Sequence, residues 1–281
     1  MSLPATLGEA MALARGQIPQ SEARLLLCEA CGVSAATIIG FPERGLAESA
    51  ASQFVDWLSR RAQGEPVAYL LGRREFFGRP FRVSPAVLIP RPETELLLEL
   101  ALARIPETAV RVLDLGTGSG AIAISLALER PDVEVHAVDL SDASLEVARG
   151  NAAALGASVR WHHGSWFAPL AGERFDLIVS NPPYVASADP HLARGDVRFE
   201  PIGALASGPD GLDDIRAIAA AAPRHLKASG HLLFEHGYDQ GAGVRAVMEG
   251  AGFAEVATHQ DLAGLDRVTL GRLHDAALMR I

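Results

Sequence analysis

The stretch V-R-V-L-D-L-G-T-G-S-G-A-I-A-I-S-L-A-L-E-R, residues 110–130, decides the fold. Residues 110–116 read as a strand and 121–130 as a helix, with glycines 116, 118 and 120 at the junction. Glycines there let the backbone turn sharply and let a ligand approach without a β-carbon in the way. Ligands of open α/β sheets bind outside the carboxyl ends of the strands. Gly116, Thr117, Gly118, Ser119 and Gly120 are therefore candidate cofactor-binding residues. The next strand, V-E-V-H-A-V-D-L (133–140), ends at Asp139, 19 residues beyond Gly120. A carboxylate in that place can accept hydrogen bonds from two vicinal ribose hydroxyls. Together the two features point to a nucleoside-containing cofactor. The spacing is G-x-G-x-G, not the G-x-G-x-x-G of dinucleotide sites, which tilts the reading away from NAD.

From residue 92 onward, helical stretches (93–105, 143–156, around 212–228, 243–252) alternate with strands (158–163, 175–180, 230–237). That alternation means βαβ units and a mainly parallel sheet. The two closing strands, 253–260 and 266–273, are joined by a short polar segment and are expected to pair antiparallel. The first 75 residues read differently, as helices: 6–17, 21–32 with Ser21 as N-cap and Gly32 as C-cap, and 46–63. Between the two regions, R-E-F-F-G-R-P-F-R-V-S-P-A-V-L-I-P-R (74–91) is broken by Gly78, Pro80 and Pro85 and reads as a hairpin or extended linker. The expected organisation is a helical domain (1–73), a hairpin linker (74–91) and an α/β domain (92–281).

Composition narrows the function. With 49% apolar and 21% charged residues in 281, disorder and fibrous classes are excluded. Net charge is −9, and Lys227 is the only lysine. Residues 1–75 hold seven arginines against eight acids, so the remainder carries nearly all of the excess. No global field attracts a phosphate backbone, and direct nucleic-acid binding is not expected. Apolar runs fall far short of the ~18 residues of a membrane span, and no secretory signal is visible. Cys28 and Cys31 form a lone C-x-x-C in a helical run, without the preceding strand or extra ligands of a redox or zinc site. They read as plain thiols, which favours the cytoplasm.

The second decisive motif is Asn181-Pro182-Pro183-Tyr184, directly after strand 175–180 and 65 residues beyond Gly116. Two prolines pin the backbone and remove two N–H donors, leaving carbonyl acceptors. Asn181 adds a side-chain carbonyl and Tyr184 a flat face. The set suits a planar group bearing an NH₂.

Here the chain resembles the class I S-adenosylmethionine-dependent methyltransferases of the N-P-P-Y kind. The resemblance narrows with G-R-R-E-F-F-G (72–78), L-I-P-R-P-E-T-E (88–95), D-L-G-T-G-S-G-A-I (114–122), N-P-P-Y-V (181–185), F-E-P…A-L…G-P-D-G-L (199–212) and F-E-H-G-Y-D-Q-G (234–241). With S-E-A-R-L-L-L in the helical segment, these are similar to the glutamine N5-methyltransferases that modify class 1 peptide chain release factors. The resemblance covers essentially the whole chain. It implies a helical substrate-binding domain, a hairpin linker and a seven-stranded Rossmann-like catalytic domain. It also implies S-adenosyl-L-methionine as methyl donor and the glutamine of a Gly-Gly-Gln loop as acceptor. Asn181 and Pro182 would accept the two N–H bonds of the substrate amide, with Pro183 shaping the pocket and Tyr184 against the amide plane. Asn181 would also border the cofactor.

The family usually has an acidic residue before an aromatic one after its third strand; here the order is Ser165-Trp166. Trp166 can still stack on adenine, and what contacts the adenine amino group is left open. His162, His163 and His236 lack metal-ligand spacing, so no metal is expected. Glu235 and Gln240 read as supports of the sheet end, and Glu93 and Thr94 as residues on the linker side of the cofactor site. Alternatives are a ribosomal-protein glutamine as acceptor, or N6-adenine methylation of nucleic acid on a flipped base. A non-catalytic module docking on translation factors is a third.

Overall fold

A computed structural model describes residues 3–107 and 110–274. The chain divides between Arg73 and Arg74 into two compact units. The first is helical: α1 (Leu7–Ala14), α2 (Gln20–Cys31), α3 (Ala35–Gly40), α4 (Glu48–Ala62) and α5 (Val67–Leu71). It has its own core, in which Leu7, Leu26, Leu27, Phe54 and Leu58 are buried together. Arg61 clamps α4 to α2 by two bonds to the Glu22 carboxylate, at 2.7 and 3.1 Å. Gly32 ends α2 in the left-handed region, as its sequence position suggested. Ser21 is not a cap: the helix starts one residue earlier, after Pro19, whose fixed φ leads into the first turn. Burial raises the pKa of the half-buried Cys28 and Cys31 thiols, which are unpaired with each other.

The second unit opens on a hairpin of β1 (Arg73–Phe76) and β2 (Arg79–Arg82). Its Phe76 and Phe81 rings meet edge to face at 6.0 Å and enter the core of this unit. The order then runs α6 (Thr94–Leu102), β3 (Arg111–Leu115), α7 (Ala121–Glu129), β4 (Glu134–Asp139), α8 (Asp142–Leu155), β5 (Arg160–His163), β6 (Phe175–Ser180), α9 (Asp213–His225), β7 (Leu226–Glu235), α10 (Gly241–Gly250), β8 (Phe253–Gln260) and β9 (Asp266–Leu273). Among the described residues β3 to β9 form one seven-stranded sheet, ordered β5-β4-β3-β6-β7-β9-β8. Neighbours from β5 to β7 are parallel; β9 is antiparallel to both β7 and β8.

Alternate strand residues feed two cores, as the pleat demands. Val112, Val135, Leu177 and Leu233 pack under α6 and α7. Leu113, Ile178, Leu232 and Phe234 pack under α9 and α10. Covered on both faces, the inner strands β3, β4 and β6 are almost wholly buried. The helix expected to reach 228 stops at His225, and Lys227 already belongs to β7. No helix among the described residues is long and apolar enough to cross a membrane.

Candidate active site

The strand order reverses direction from β3, with β4 on one side and β6 on the other. A crevice opens at the carboxyl ends of such strands. Here it is a cavity of about 360 Å³, lined by Gly116, Gly118, Asp139, Trp166, Asn181 and Pro183 among others. That volume lies within the range of small-molecule sites.

The glycine loop divides its labour. Gly118 has φ +55, and nothing lies within 4 Å of where a β-carbon would stand. A side chain there would fill the cavity. Gly120, with φ +82, caps α7 from below, where a β-carbon would meet Ile124 at 2.7 Å. Thr117 is buried and donates its hydroxyl to Asp114 at 2.6 Å. Ser119 is buried and its carbonyl accepts from Asn151 Nδ2 at 2.9 Å. Of the five loop residues, the structure therefore presents Gly116 and Gly118 to the cavity and uses the others to hold the turn. Asp114 lies beneath them, its carboxyl pushed up to about 7 by burial against the opposing pull of Thr117.

Asp139 sits half-buried at the end of β4. Its carboxylate accepts from Gly118 N–H at 2.8 Å and from Ser141 N–H at 2.9 Å. Burial raises its pKa, and those two bonds work against the rise. Trp166 occupies the left-handed region, φ 45, which bulky residues seldom adopt. The next residue, Phe167, anchors the turn by stacking on His225 at 4.4 Å. The Trp166 ring thereby reaches the cavity wall beside Gly116, 3.4 Å from the place of a β-carbon there. Ser165 is exposed on the same wall.

The N-P-P-Y loop is held from behind. Asn181 Nδ2 donates to Thr94 Oγ1 at 3.2 Å. Asn181 Oδ1 is buried with no partner, a costly state for an amide oxygen unless a ligand supplies a donor. Pro183 faces the cavity, whereas Pro182 is buried and the half-buried Tyr184 turns its hydroxyl to Glu235 Oε1 at 3.4 Å. Gln240 Nε2 donates to the Tyr184 carbonyl at 2.9 Å, fixing the loop backbone.

Two buried acids stand behind the site, Glu235, read from the sequence as a support of the sheet end, and Glu200, which the sequence left without a role. Glu235 is buried at the end of β7, and burial pushes its carboxyl up to about 7. Glu200 is buried and accepts from Ile89 N–H at 3.0 Å and from the Arg91 guanidinium. It ties the wall at Ala86–Leu88 to the wall at Pro201–Ala204. An acid directly after phenylalanine, in F-E-P and F-E-H, was the available signal of burial. The adjacent histidines diverge: His162 bonds His136 at 3.0 Å, and His163 meets the Leu140 carbonyl at 2.9 Å. His236 is buried between Thr269 and the Gly237 carbonyl. No cluster of three or more metal-ligating side chains occurs among the described residues.

Comparison with known proteins agrees with this architecture. Residues 9–72 match the family model described as the PrmC N-terminal domain, and residues 92–195 match the methyltransferase small domain. A solved methyltransferase from Pyrococcus furiosus superposes with a TM-score of 0.55 at 16% identity, over 78% of this chain and 98% of its own. The 16S rRNA N2 G1207 methyltransferase of T. thermophilus does so at 0.52 and 23%, over 72% of this chain and 50% of its own. At such identities the likeness concerns the fold. The release factor glutamine methyltransferase of Neisseria gonorrhoeae is 54% identical over 92% of this chain and 96% of its own length. That of Salmonella typhimurium is 49% identical over 90% of this chain and 92% of its own. Identity of that order along nearly the whole of both chains places this protein in the release factor glutamine methyltransferase family.

Proposed function

We propose that the chain transfers a methyl group from S-adenosyl-L-methionine to the side-chain amide nitrogen of the glutamine in the Gly-Gly-Gln motif of class 1 peptide chain release factors. The observation that carries this reading is Asn181: a half-buried side chain, anchored through Nδ2, whose buried Oδ1 lacks a donor. A substrate carboxamide bears two N–H bonds, the donors such a site needs.

The cavity fits the methyl donor. Asp139 would accept the ribose hydroxyls, Trp166 would stack on the adenine, and the open face of Gly118 leaves room for the cofactor to pass close to the loop backbone. S-adenosyl-L-methionine, when bound, supplies a methyl group on a positively charged sulfur and needs no further activation. The chain's task is therefore to aim a poor nucleophile. Asn181 Oδ1 and the Pro182 carbonyl would each accept one substrate N–H, turning the nitrogen lone pair outward. As that nitrogen gains positive charge, both acceptors hold it more strongly, which lowers the barrier. The rest of the acceleration comes from positioning. The proton leaves once the nitrogen is alkylated, so a strong base is unnecessary.

Residues 1–73 are proposed to dock the release factor, and 92–281 to catalyse. The exposed Leu25, Ile39 and Phe41 of the helical unit supply apolar surface for a protein partner. Translation factors as substrates place the enzyme in the cytoplasm. The acidic balance argues against nucleic acid as acceptor. The test is transfer of radiolabelled methyl to release factor, ribosomal protein and DNA in parallel. Label in the Gly-Gly-Gln peptide is expected; label in DNA or ribosomal protein alone would overturn the assignment.

A further inference from the structure

Between the N-P-P-Y motif and α9 the chain makes a long excursion. Residues 186–204 leave and return over a short base, where Val185 N–H donates to the Leu205 carbonyl at 2.8 Å and Ser207 N–H to the Val185 carbonyl at 2.9 Å. The excursion holds three short 3₁₀ turns, Pro190–Ala193, Asp196–Phe199 and Ile202–Ala204. It has no packed core. Leu192, Val197 and Phe199 are half-buried, Ile202 is exposed, and none of the four joins either core of the α/β unit. The single buried residue among 186–204 is an acid, Glu200, whose side chain is fully covered.

Both oxygens of Glu200 go to one neighbouring strap of chain, residues 86–91. Oε2 accepts from Ile89 N–H at 3.0 Å, and Oε1 accepts from the Arg91 guanidinium. The strap is itself fixed: Val87 and Ile89 are buried, and the Ala86 carbonyl accepts from Ser144 Oγ of α8 at 3.0 Å. Strap and excursion both line the cavity, one through Ala86, Val87 and Leu88, the other through Pro201, Gly203 and Ala204. A segment with few buried apolar contacts opens locally at low cost. What holds this one to the strap is a pair of bonds to a carboxylate, which are the strong kind.

We propose that residues 186–204 are a lid on the cofactor cavity and that Glu200 is its latch, a positioning residue that sets how fast the cofactor enters and leaves. With Glu200 bound to Ile89 and Arg91, the residues that follow it in sequence, Pro201, Gly203 and Ala204, are kept against the cavity. With the latch broken they move off with the lid, while burial and Ser144 keep the strap in place. This rests on the reading of the cavity as the S-adenosyl-L-methionine site.

The test uses the full chain and tritiated S-adenosyl-L-methionine. Dissociation is read by chasing bound label with excess unlabelled cofactor, and association by stopped-flow fluorescence, with Trp166 in the cavity wall as reporter. Glu200→Gln keeps an acceptor for Ile89 N–H but turns an NH₂ toward the Arg91 donors. The dissociation rate constant should rise about tenfold to a hundredfold, the equivalent of one charge-assisted hydrogen bond. Association should become faster as well, because a lid that opens more often also admits more, so Kd should rise less than the dissociation rate. A merely damaged site would lose affinity with association unchanged or slower. Arg91→Met removes the donors of the half-buried partner and should act in the same sense. The two substitutions break one contact, so the double variant should fall well short of the product of the single effects. Unchanged dissociation in Glu200→Gln overturns the proposal, as does faster dissociation without faster association, or effects that multiply in full. If Glu200→Gln does not fold, Arg91→Met decides by the same two rates. Asp139→Ala separates the two readings. Parental affinity there removes the cavity as the cofactor site and the latch with it. Weakened binding in Asp139→Ala beside parental rates in the Glu200 and Arg91 variants removes only the latch.

Discussion

Asp139 holds the glycine loop and is proposed to hold the ribose, so its removal should be felt twice. In sequence it stands at the end of a strand and invites the expectation that Asp139→Ala leaves folding nearly intact. In the structure it is half-buried, and each carboxylate oxygen receives a backbone N–H, Gly118 at 2.8 Å and Ser141 at 2.9 Å. Hydrogen bonds to a charged acceptor contribute about 1.5–3 kcal/mol each. The cavity admits water to take the place of the lost oxygens, so the lower end applies to each bond and the total is at most about 3 kcal/mol. Cofactor affinity is expected to lose the proposed ribose contact as well, a further tenfold to roughly a hundredfold. Asp139→Asn is the sharper variant. Its carboxamide has one acceptor oxygen where the loop offers two N–H groups, so its NH₂ must face a donor. It should destabilise the loop at least as much as alanine does. Calorimetry with S-adenosyl-L-methionine and thermal melting read the two effects separately. Unchanged affinity in Asp139→Ala would remove this residue from the binding site. Unchanged melting in both variants would show that its two backbone bonds do not support the loop.

The glycine loop gives a paired test: Gly118→Ala should cost cofactor affinity with a modest stability loss of about 1–2 kcal/mol for its left-handed backbone. Gly120→Ala adds the clash with Ile124 and should lower Tm further; equal behaviour of the two would contradict the division drawn here. The carboxyls of Asp114 and Glu235 are raised to about 7, from values near 4 when unfolded. The folded chain keeps protons that the unfolded chain has lost, so this contribution favours the fold at low pH and disappears as pH rises through about 7. Glu235, which faces Thr94, Tyr184, Arg267 and Glu93, can be isolated by Glu235→Gln. Its fall in Tm between about pH 5.5 and pH 8 should be smaller than the parent's, and identical slopes would count against the raised carboxyl. Phe54→Ala empties the core of the helical unit and should cost about 3–5 kcal/mol. Weaker methylation of intact release factor with unchanged cofactor affinity is expected, and an unaltered KM for the release factor would argue against docking by that unit.

The alternation of strands and helices after residue 92 was legible because the inner strands are covered on both faces and read as apolar runs. The antiparallel closing strands followed from the short 261–265 connection. The insertion of β9 between β7 and β8 was not legible, because pairing order depends on crossovers that leave no local trace. Helices α3 and α5, of six and five residues, passed unread, since so few residues show no period and owe their form to packing. At the site, Gly118, Asp139 and Asn181 were readable from motif and strand position. The orientation of Tyr184 was not. A ring in a polar motif looks available for a ligand, whereas its hydroxyl turns back to a buried acid 51 residues away. Glu235 reads from sequence as a support of the sheet end and Thr94 as a residue on the linker side of the cofactor site, but their partners, Tyr184 and Asn181, were not legible, because partners are properties of the assembled sheet.

The placement of β9 also constrains how the molecule can be made. The helical unit has an early, self-contained core and can collapse while later residues are still being added. The sheet cannot follow strand by strand. Until Asp266–Leu273 has been added, β7 presents an unpaired edge carrying Leu232 and Leu233, and β8 has no neighbour at all. An open apolar edge of that kind is a template for wrong partners. Glu235 pairs with Val268 across that gap, so the floor of the candidate site is laid only when the last-made strand arrives. A chain stopped near residue 265 would carry every motif quoted at the outset and still present a sticky half-sheet to the quality-control machinery of the cell.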